Sequence, residues 1–219
     1  MRPLAPFAAV VFDMDGTLLD TEMLFKQIVW EVSGELGFDM TDDVHGQIVG
    51  ASHDATRTIL QDTYGPDFSY DAFNEACGRL WQGRSDQPVP VKPGVPELLA
   101  ELRQRGIQMA VATSSRRASA MANLDLAGIL ALFETVVTRD DVRYPKPHPE
   151  PYLTAAKRLG REPADCLAIE DSHAGVRSAH AAGLQTVMVP DLVQPSAEVR
   201  ALCRVMTSLH DVRLAAFTA

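Results

Sequence analysis

Cysteine is scarce in this chain, and it lacks the spacings that would make it useful. Of 219 residues only 3 are cysteine, Cys77, Cys166 and Cys203. They are far apart and form no Cys-x-x-Cys pair, which excludes a zinc-finger-type site and a disulfide framework. Three reduced thiols in a cytoplasmic protein are expected instead. Long apolar runs are also missing. The run through Val10, Val11 and Phe12 is cut short by Asp13, too soon for a membrane span or the apolar part of a secretion signal. Basic residues are in deficit, with 20 Lys and Arg against 29 Asp and Glu, a formal net charge of -9. That balance argues against nucleic acid and anionic membranes as partners, because phosphate backbones require clustered cations. It still permits a small anionic substrate, since one lysine and a metal ion reverse the sign inside a cleft. There is no repeat and no low-complexity tract, and a monomer is expected.

What the sequence does have is alternation. Short apolar segments at Ala8 to Phe12, Gln108 to Ala112, Phe133 to Thr138, Cys166 to Ile169 and Thr186 to Val189 read as buried strands. Helical patterns at Glu97 to Arg105, Ala118 to Leu126, Pro149 to Leu159 and Ala174 to Ala182 separate the later ones. Alternation of this kind predicts an α/β fold, a doubly wound parallel sheet covered on both faces. The stretch from Leu19 to Pro88 does not alternate. It reads as four helices, Glu22 to Leu36, Thr41 to Val49, Asp54 to Tyr64 and Tyr70 to Arg84, followed by a stiff proline-rich crossing from Gln87 to Gly94. The expected organisation is a core of residues 1–18 and 90–219, with a helical insert over 19–89 hinged near Leu18 to Thr21 and Pro88 to Pro93. The alternative is that these helices pack directly on the sheet.

Four groups of polar residues fall at the ends of predicted strands. Asp13-Met14-Asp15-Gly16-Thr17-Leu18 follows the first. Carboxylates at i and i+2 share a side only in extended chain, and at a strand's C-terminal end both enter the crevice where open α/β sheets bind ligands. Gly16 permits a sharp turn there, and Thr17 can hydrogen-bond to a carboxylate or to the turn. Thr113-Ser114-Ser115 ends the second core strand, as candidate phosphate binders or as ordinary N-caps of the next helix. Tyr144-Pro145-Lys146-Pro147-His148-Pro149 fixes Lys146 between prolines, where it can neutralise a phosphate and a nucleophile together. His148 is expected to cap or pack locally. Leu167-Ala168-Ile169-Glu170-Asp171-Ser172 is an apolar strand ending in two acids. One or both, with Asp13, would suffice for magnesium, which prefers carboxylate oxygens and retains water. The alternative role for Asp171, compatible with the first, is N-cap of the helix that follows.

In order and spacing these groups resemble the four motifs of the haloacid dehalogenase superfamily of phosphatases, over nearly the whole chain. The helical segment resembles that family's small α-helical cap, and Asp20-Thr21-Glu22 with the G-L-Q-T-V-M-V-P-D segment ending at Asp191 resemble its phosphoglucomutase-like branch. The resemblance implies Asp13 as the nucleophile that forms an aspartyl-phosphate, and Asp15 as the acid–base residue. It implies Thr113, Ser114 and Lys146 as phosphate binders. Magnesium would be held by Asp13, the carbonyl of Asp15, Asp171 and Glu170, with Glu170 either a direct ligand or behind one. The implied substrate is a small phosphorylated metabolite, with a sugar phosphate the natural guess for this branch. Glu22, Phe25, His53 and Arg57 are candidate specificity residues, His53 being more often a solvated loop histidine, and Trp81 is expected in the core of the helical segment.

Departures from the family pattern narrow the reading. Asp15 is present, whereas the dehalogenases that name the superfamily lack that aspartate. The only lysine of the helical segment is Lys26, read as an ordinary solvated charge rather than the Schiff-base lysine of phosphonate-cleaving relatives. Mutases of the branch carry a histidine where Phe25 stands, and a lysine and an arginine where this chain reads Val49-Gly50-Ala51-Ser52-His53. Hydrolysis is therefore expected over mutase or phosphotransferase activity. A non-catalytic phosphate-binding module and a receiver-like signalling domain rank lower.

Overall fold

The computed structural model describes residues 3–48, 53–84 and 89–217. The chain divides into two compact units, Met1–Asp20 with Pro88–Ala219, and Thr21–Gln87.

The first unit is built on six parallel strands. In chain order these are β1 (Ala9–Phe12), β2 (Gln108–Ala112), β3 (Thr135–Val137), β4 (Cys166–Glu170), β5 (Gln185–Met188) and β6 (Arg204–Val205), arranged β3-β2-β1-β4-β5-β6. Strand β1 lies between β2 and β4, with Phe12 level with both Val111 and Ile169. It is apolar on both faces and wholly buried, as a central parallel strand must be. The strand order reverses between β1 and β4, and this reversal is the point at which open α/β sheets place their ligands.

Helices α5 (Val95–Gln104), α6 (Arg117–Leu126), α7 (Glu150–Leu159), α8 (His173–Ala181), α9 (Ala197–Leu202) and α10 (Leu209–Phe217) belong to the same unit. One face of the sheet presents small residues, Ala9, Ala110, Ala112 and Ala168, and α7 packs into that space with Tyr152, Ala155, Ala156 and Leu159. Bulkier side chains there would lift α7 off the sheet. Instead it lies close enough for Tyr152 to be fully buried. The α/β class and the five longer strands were expected from apolar runs. The elements after Val189 were not: β6 has 2 residues and α9 has 6, too few to show a period, and α10 carries apolar residues on its exposed side (Leu214) as well as its buried one (Val212).

The second unit contains α1 (Thr21–Leu36), α2 (Asp42–Ile48), α3 (His53–Tyr64) and α4 (Tyr70–Gln82). Ile28, Val29 and Val32 of α1 meet Val44 and Ile48 of α2, Leu60 of α3, and Tyr70, Phe73 and Cys77 of α4. Those spacings of three and four make one apolar stripe per helix. Phe38 packs against Tyr64, Phe68 and Phe73 at centroid distances of 4.9, 5.1 and 6.1 Å. Trp81 packs on this core, as expected. No helix among the described residues is long and apolar enough to cross a membrane.

Candidate functional site

The crevice is built where β1 ends. Asp13 donates its N–H to the Ile169 carbonyl at 2.9 Å, so it continues the ladder one residue beyond β1. The chain then turns, with Leu18 and Leu19 both donating to the Met14 carbonyl and Gly16 donating to the Leu19 carbonyl. Met14 points into the core, and Asp13 and Asp15 point the other way, as the two-residue period requires. Gly16 has φ of 81°, and a Cβ there would come within 2.4 Å of Asp171 Oδ2. Both the turn and the close approach of Asp171 therefore demand glycine.

Lys146 is the hub of the site. Its Nζ lies 2.5 Å from Asp13 Oδ1 and 2.5 Å from Glu170 Oε1, and its side chain is 5% exposed. It also sits 5.1 Å from the centre of the Tyr152 ring. The peptide between Lys146 and Pro147 is cis. Glu170 is fully buried at the end of β4, and both its oxygens are committed. Oε1 accepts from Lys146 and, at 2.8 Å, from the Tyr152 hydroxyl. Oε2 accepts from the backbone N–H of Asp171 at 3.2 Å, the N–H of Ser172 at 3.1 Å and the Ser172 hydroxyl at 2.9 Å. A Cβ on Gly175 would stand 1.7 Å from Glu170 Oε1, so α8 can begin at this distance only with glycine there.

The acids converge. Asp13, Glu170 and Asp171 each offer an oxygen within 4.8 Å of the others. Thr17 Oγ1 donates to Asp171 Oδ1 at 3.2 Å. Burial opposes the charge on Lys146, but Asp13 and Glu170 hold its ammonium well above the ordinary lysine range. Burial pushes the Asp13 carboxyl well above its usual range; Lys146 pulls it back, and Glu170, Asp171 and Asp15 push it further. Burial and then Glu170 push Asp171 up to about 8, against the pull of Lys146 and Thr17. Three carboxylates face one ammonium, so full ionisation leaves negative charge uncompensated. Oxygen donors with surplus negative charge suit a hard divalent cation.

On the β2 side, Thr113 Oγ1 lies 3.3 Å from Asp15 Oδ2, and Ser115 Oγ donates to the same oxygen at 2.7 Å. Ser114 between them is exposed. The Thr-Ser-Ser run is therefore not an N-cap. Helix α6 begins after Arg116 with no side-chain cap, and the serine that reaches Asp15 is Ser115, one residue past the one singled out from sequence. Asp171 is not a cap either. Ser172 accepts from the Gly175 N–H at 3.0 Å and caps α8, which leaves the Asp171 carboxylate free to turn toward the other acids. His148 accepts from the Glu150 N–H at 3.2 Å and packs on Tyr144, a local role as expected.

The motif residues thus gather at one place, but the expected specificity residues do not stand out. Phe25 packs on the core of the helical unit, and Arg57 pairs with Asp71 at 2.8 Å and lies over the Tyr70 ring. Lys26 is held by Asp42 at 2.5 Å. The Glu22 and His53 side chains and residues 49–52 lie outside the described residues. Tyr152, Lys92 and Asp191 join the site or its border without having been singled out. The segments of Lys92 and Asp191 were noted, but not these side chains as part of the site, and only the fold brings each of the three close.

Comparison with known proteins agrees with this geometry. The family model of haloacid dehalogenase-like hydrolases matches residues 10–189. A phosphorylated carbohydrates phosphatase from Thermotoga maritima is 31% identical over 179 residues, 82% of this chain and 83% of that protein. A bifunctional riboflavin kinase/FMN phosphatase from Arabidopsis thaliana is 32% identical over 208 residues; the match covers 94% of this chain but only 55% of that longer protein. The crystal structure of a hydrolase of the same family from Deinococcus radiodurans, with bound phosphate and sodium, superposes with a TM-score of 0.82 at 30% identity, covering 97% of this chain and 96% of that one. With its strand order, its acid cluster and its buried lysine all in keeping, this chain belongs to the haloacid dehalogenase-like hydrolases.

Proposed function

We propose that this protein is a magnesium-dependent phosphatase of small phosphorylated metabolites, working through a phosphoryl group carried on Asp13. The observation that carries the reading is the pairing of Asp13 with a buried lysine, 2.5 Å away, at the sheet's switch point and beside Asp171.

Asp13 is the nucleophile. One carboxylate oxygen attacks phosphorus, the P–O bond to the leaving alkoxide breaks, and Asp15 gives that alkoxide its proton. Water then attacks the phosphorus of the aspartyl-phosphate, Asp15 takes the proton, and inorganic phosphate and the Asp13 carboxylate are released. Thr113 and Ser115 orient Asp15 for both transfers, because both hydroxyls meet its Oδ2. Ser114, exposed beside them, is a candidate hydrogen-bond donor to the phosphate. Lys146 holds Asp13 in its attacking position and offsets the charge of the incoming phosphate.

The groups suited to hold magnesium are Asp13, Asp171 and the backbone carbonyl of Asp15. Bound there, the ion supplies charge neutralisation between the nucleophile and the phosphate. Glu170 is read as the residue that holds Lys146 and not as a ligand, because five donors already occupy its two oxygens. A sugar phosphate is the favoured substrate class, on the likeness to the Thermotoga phosphatase. Substrate choice is assigned to the helical unit as its cap function.

Asp13→Asn should abolish release of phosphate from an aryl phosphate in the presence of magnesium, and EDTA should silence the wild type until magnesium is restored. Turnover retained by Asp13→Asn would remove Asp13 as nucleophile.

A further inference from the structure

A second charged group borders the acid cluster, and the mechanism above does not use it. Lys92 lies on the segment that pairs with the chain leaving the Asp13 turn: its N–H donates to the Leu18 carbonyl at 2.9 Å, and Asp20 donates to the Pro90 carbonyl at 2.8 Å. The Lys92 ammonium is 2.6 Å from Asp191 Oδ1 and 3.7 Å from Asp20 Oδ1. Asp191 lies just beyond β5, on a segment tied to the site by the Val189 N–H donating to the Glu170 carbonyl at 2.7 Å.

Only one oxygen of Asp191 is explained by this ion pair. Oδ2 is buried, and no group among the described residues donates to it. Its direction is informative. The point a Cβ would occupy on Gly16 is 2.4 Å from Asp171 Oδ2 and 3.4 Å from Asp191 Oδ2, so the two carboxylates converge on the same glycine. A hinge role for Lys92 and Asp191 would account for Oδ1 and leave Oδ2 as an uncompensated cost. Bringing a further carboxylate up to Asp171, beside Asp13 and Glu170, is likewise unfavourable unless something positive or proton-donating stands between them. Magnesium retains several waters when carboxylates bind it, and every such water carries protons that need acceptors.

We propose that Asp191, fixed in place by Lys92, is a positioning residue for the divalent cation, with Oδ2 accepting from the water the ion carries. The inference rests on the reading of Asp13 and Asp171 as the cation's ligands. Lys92 orients the carboxylate so that Oδ2 faces Asp171, and its charge limits the repulsion between the two acids. In Asp191→Asn the amide oxygen must face Lys92, a pure donor, so the NH₂ group turns toward the site and puts a donor where an acceptor is needed.

Magnesium binding, measured by isothermal titration calorimetry at fixed ionic strength, tests this without any turnover. Asp191→Asn and Asp191→Ala should bind magnesium about 10-fold more weakly than wild type. The metal-free unfolding midpoint checks that each variant is folded, and either folded variant suffices. A merely structural role would lower that midpoint and leave the affinity alone. Asp171→Asn is the control and should lose magnesium binding. If it does, and the Asp191 variants bind magnesium like wild type, the role of Asp191 is overturned and the cation site stands. If Asp171→Asn binds like wild type, or wild type does not bind magnesium, the site reading and this inference fall together.

Discussion

Glu170→Gln is the most informative single change, because the surroundings of Glu170 leave an amide no good choice. The carboxylate accepts from Lys146 and Tyr152 on one oxygen and from two backbone N–H groups and the Ser172 hydroxyl on the other. Glutamine has one acceptor oxygen and one NH₂. If its oxygen keeps the turn at Asp171 and Ser172, its NH₂ faces the Lys146 ammonium. If its oxygen keeps Lys146, two backbone N–H groups face NH₂ with nothing to receive them. The first arrangement costs less, because the Tyr152 hydroxyl can rotate to accept and Lys146 still has Asp13 at 2.5 Å. Removing one member of a buried ion pair typically costs about 3–5 kcal/mol. Relief offsets part of that, since the Glu170 charge is one of the causes that push both Asp13 and Asp171 up. A net loss of about 2–3 kcal/mol is expected, close to one lost charge-assisted hydrogen bond. In a chain of this size that lowers the thermal midpoint by roughly 4–12 °C. Lys146 is also less well fixed, so kcat/KM for an aryl phosphate should fall about 10- to 100-fold. Differential scanning calorimetry and phosphate release read the two effects. A midpoint within about 1 °C of wild type, together with full turnover, would refute the assignment of Glu170 as the holder of Lys146.

Two further changes probe the packing around the site and in the helical unit. Gly175→Ala places a methyl group 1.7 Å from Glu170 Oε1, so Glu170 or α8 must move; a loss of ~3 kcal/mol by chemical denaturation and a matching loss of turnover are expected. His45 is 6% exposed, packs against Trp30 at 5.2 Å and has no partner for Nε2 among the described residues. Burial and then Lys26 hold its pKa below the ordinary histidine value, against the opposing pull of Asp42. The folded state therefore binds the proton less well than the unfolded state. Stability is full above the unfolded pKa of about 6.5 and falls as pH drops through and below it. Thermal midpoints between neutral and mildly acid pH should show this loss, and His45→Leu should flatten it.

Much of the site was legible because its chemistry is carried by residues in contiguous runs. Asp13 and Asp15 follow an apolar strand, Lys146 sits between prolines, and Glu170 and Asp171 end another apolar strand. A period of two and the known behaviour of strand ends are enough to bring these together at a switch point. What stayed hidden depends on packing between distant segments. Tyr152 looks like one more apolar residue on the inner face of α7, and only the depth of that helix on the alanine-lined sheet face brings its hydroxyl to Glu170. Ser115, read from sequence only as part of a run of phosphate binders or N-caps, instead donates to Asp15, because the direction of a side chain in a turn has no periodic signature. Lys92 and Asp191 are 99 residues apart, and nothing local marks either as part of the same group. The elements after Val189 escaped for simpler reasons: β6 and α9 contain too few residues to show a pattern, and α10 has apolar residues on both its buried and its exposed side.

Everything proposed for the chemistry depends on phosphorus being transferred to Asp13. With an aryl phosphate the leaving phenolate needs no proton, so Asp15→Asn should still be phosphorylated and then stall, because nothing activates water for the second step. Rapid mixing of this variant with substrate and magnesium should give a burst of one equivalent of phenol per active site. Peptide mapping after acid quench should find the phosphoryl group on Asp13. No burst, or a phosphoryl group on any other residue, would contradict the account.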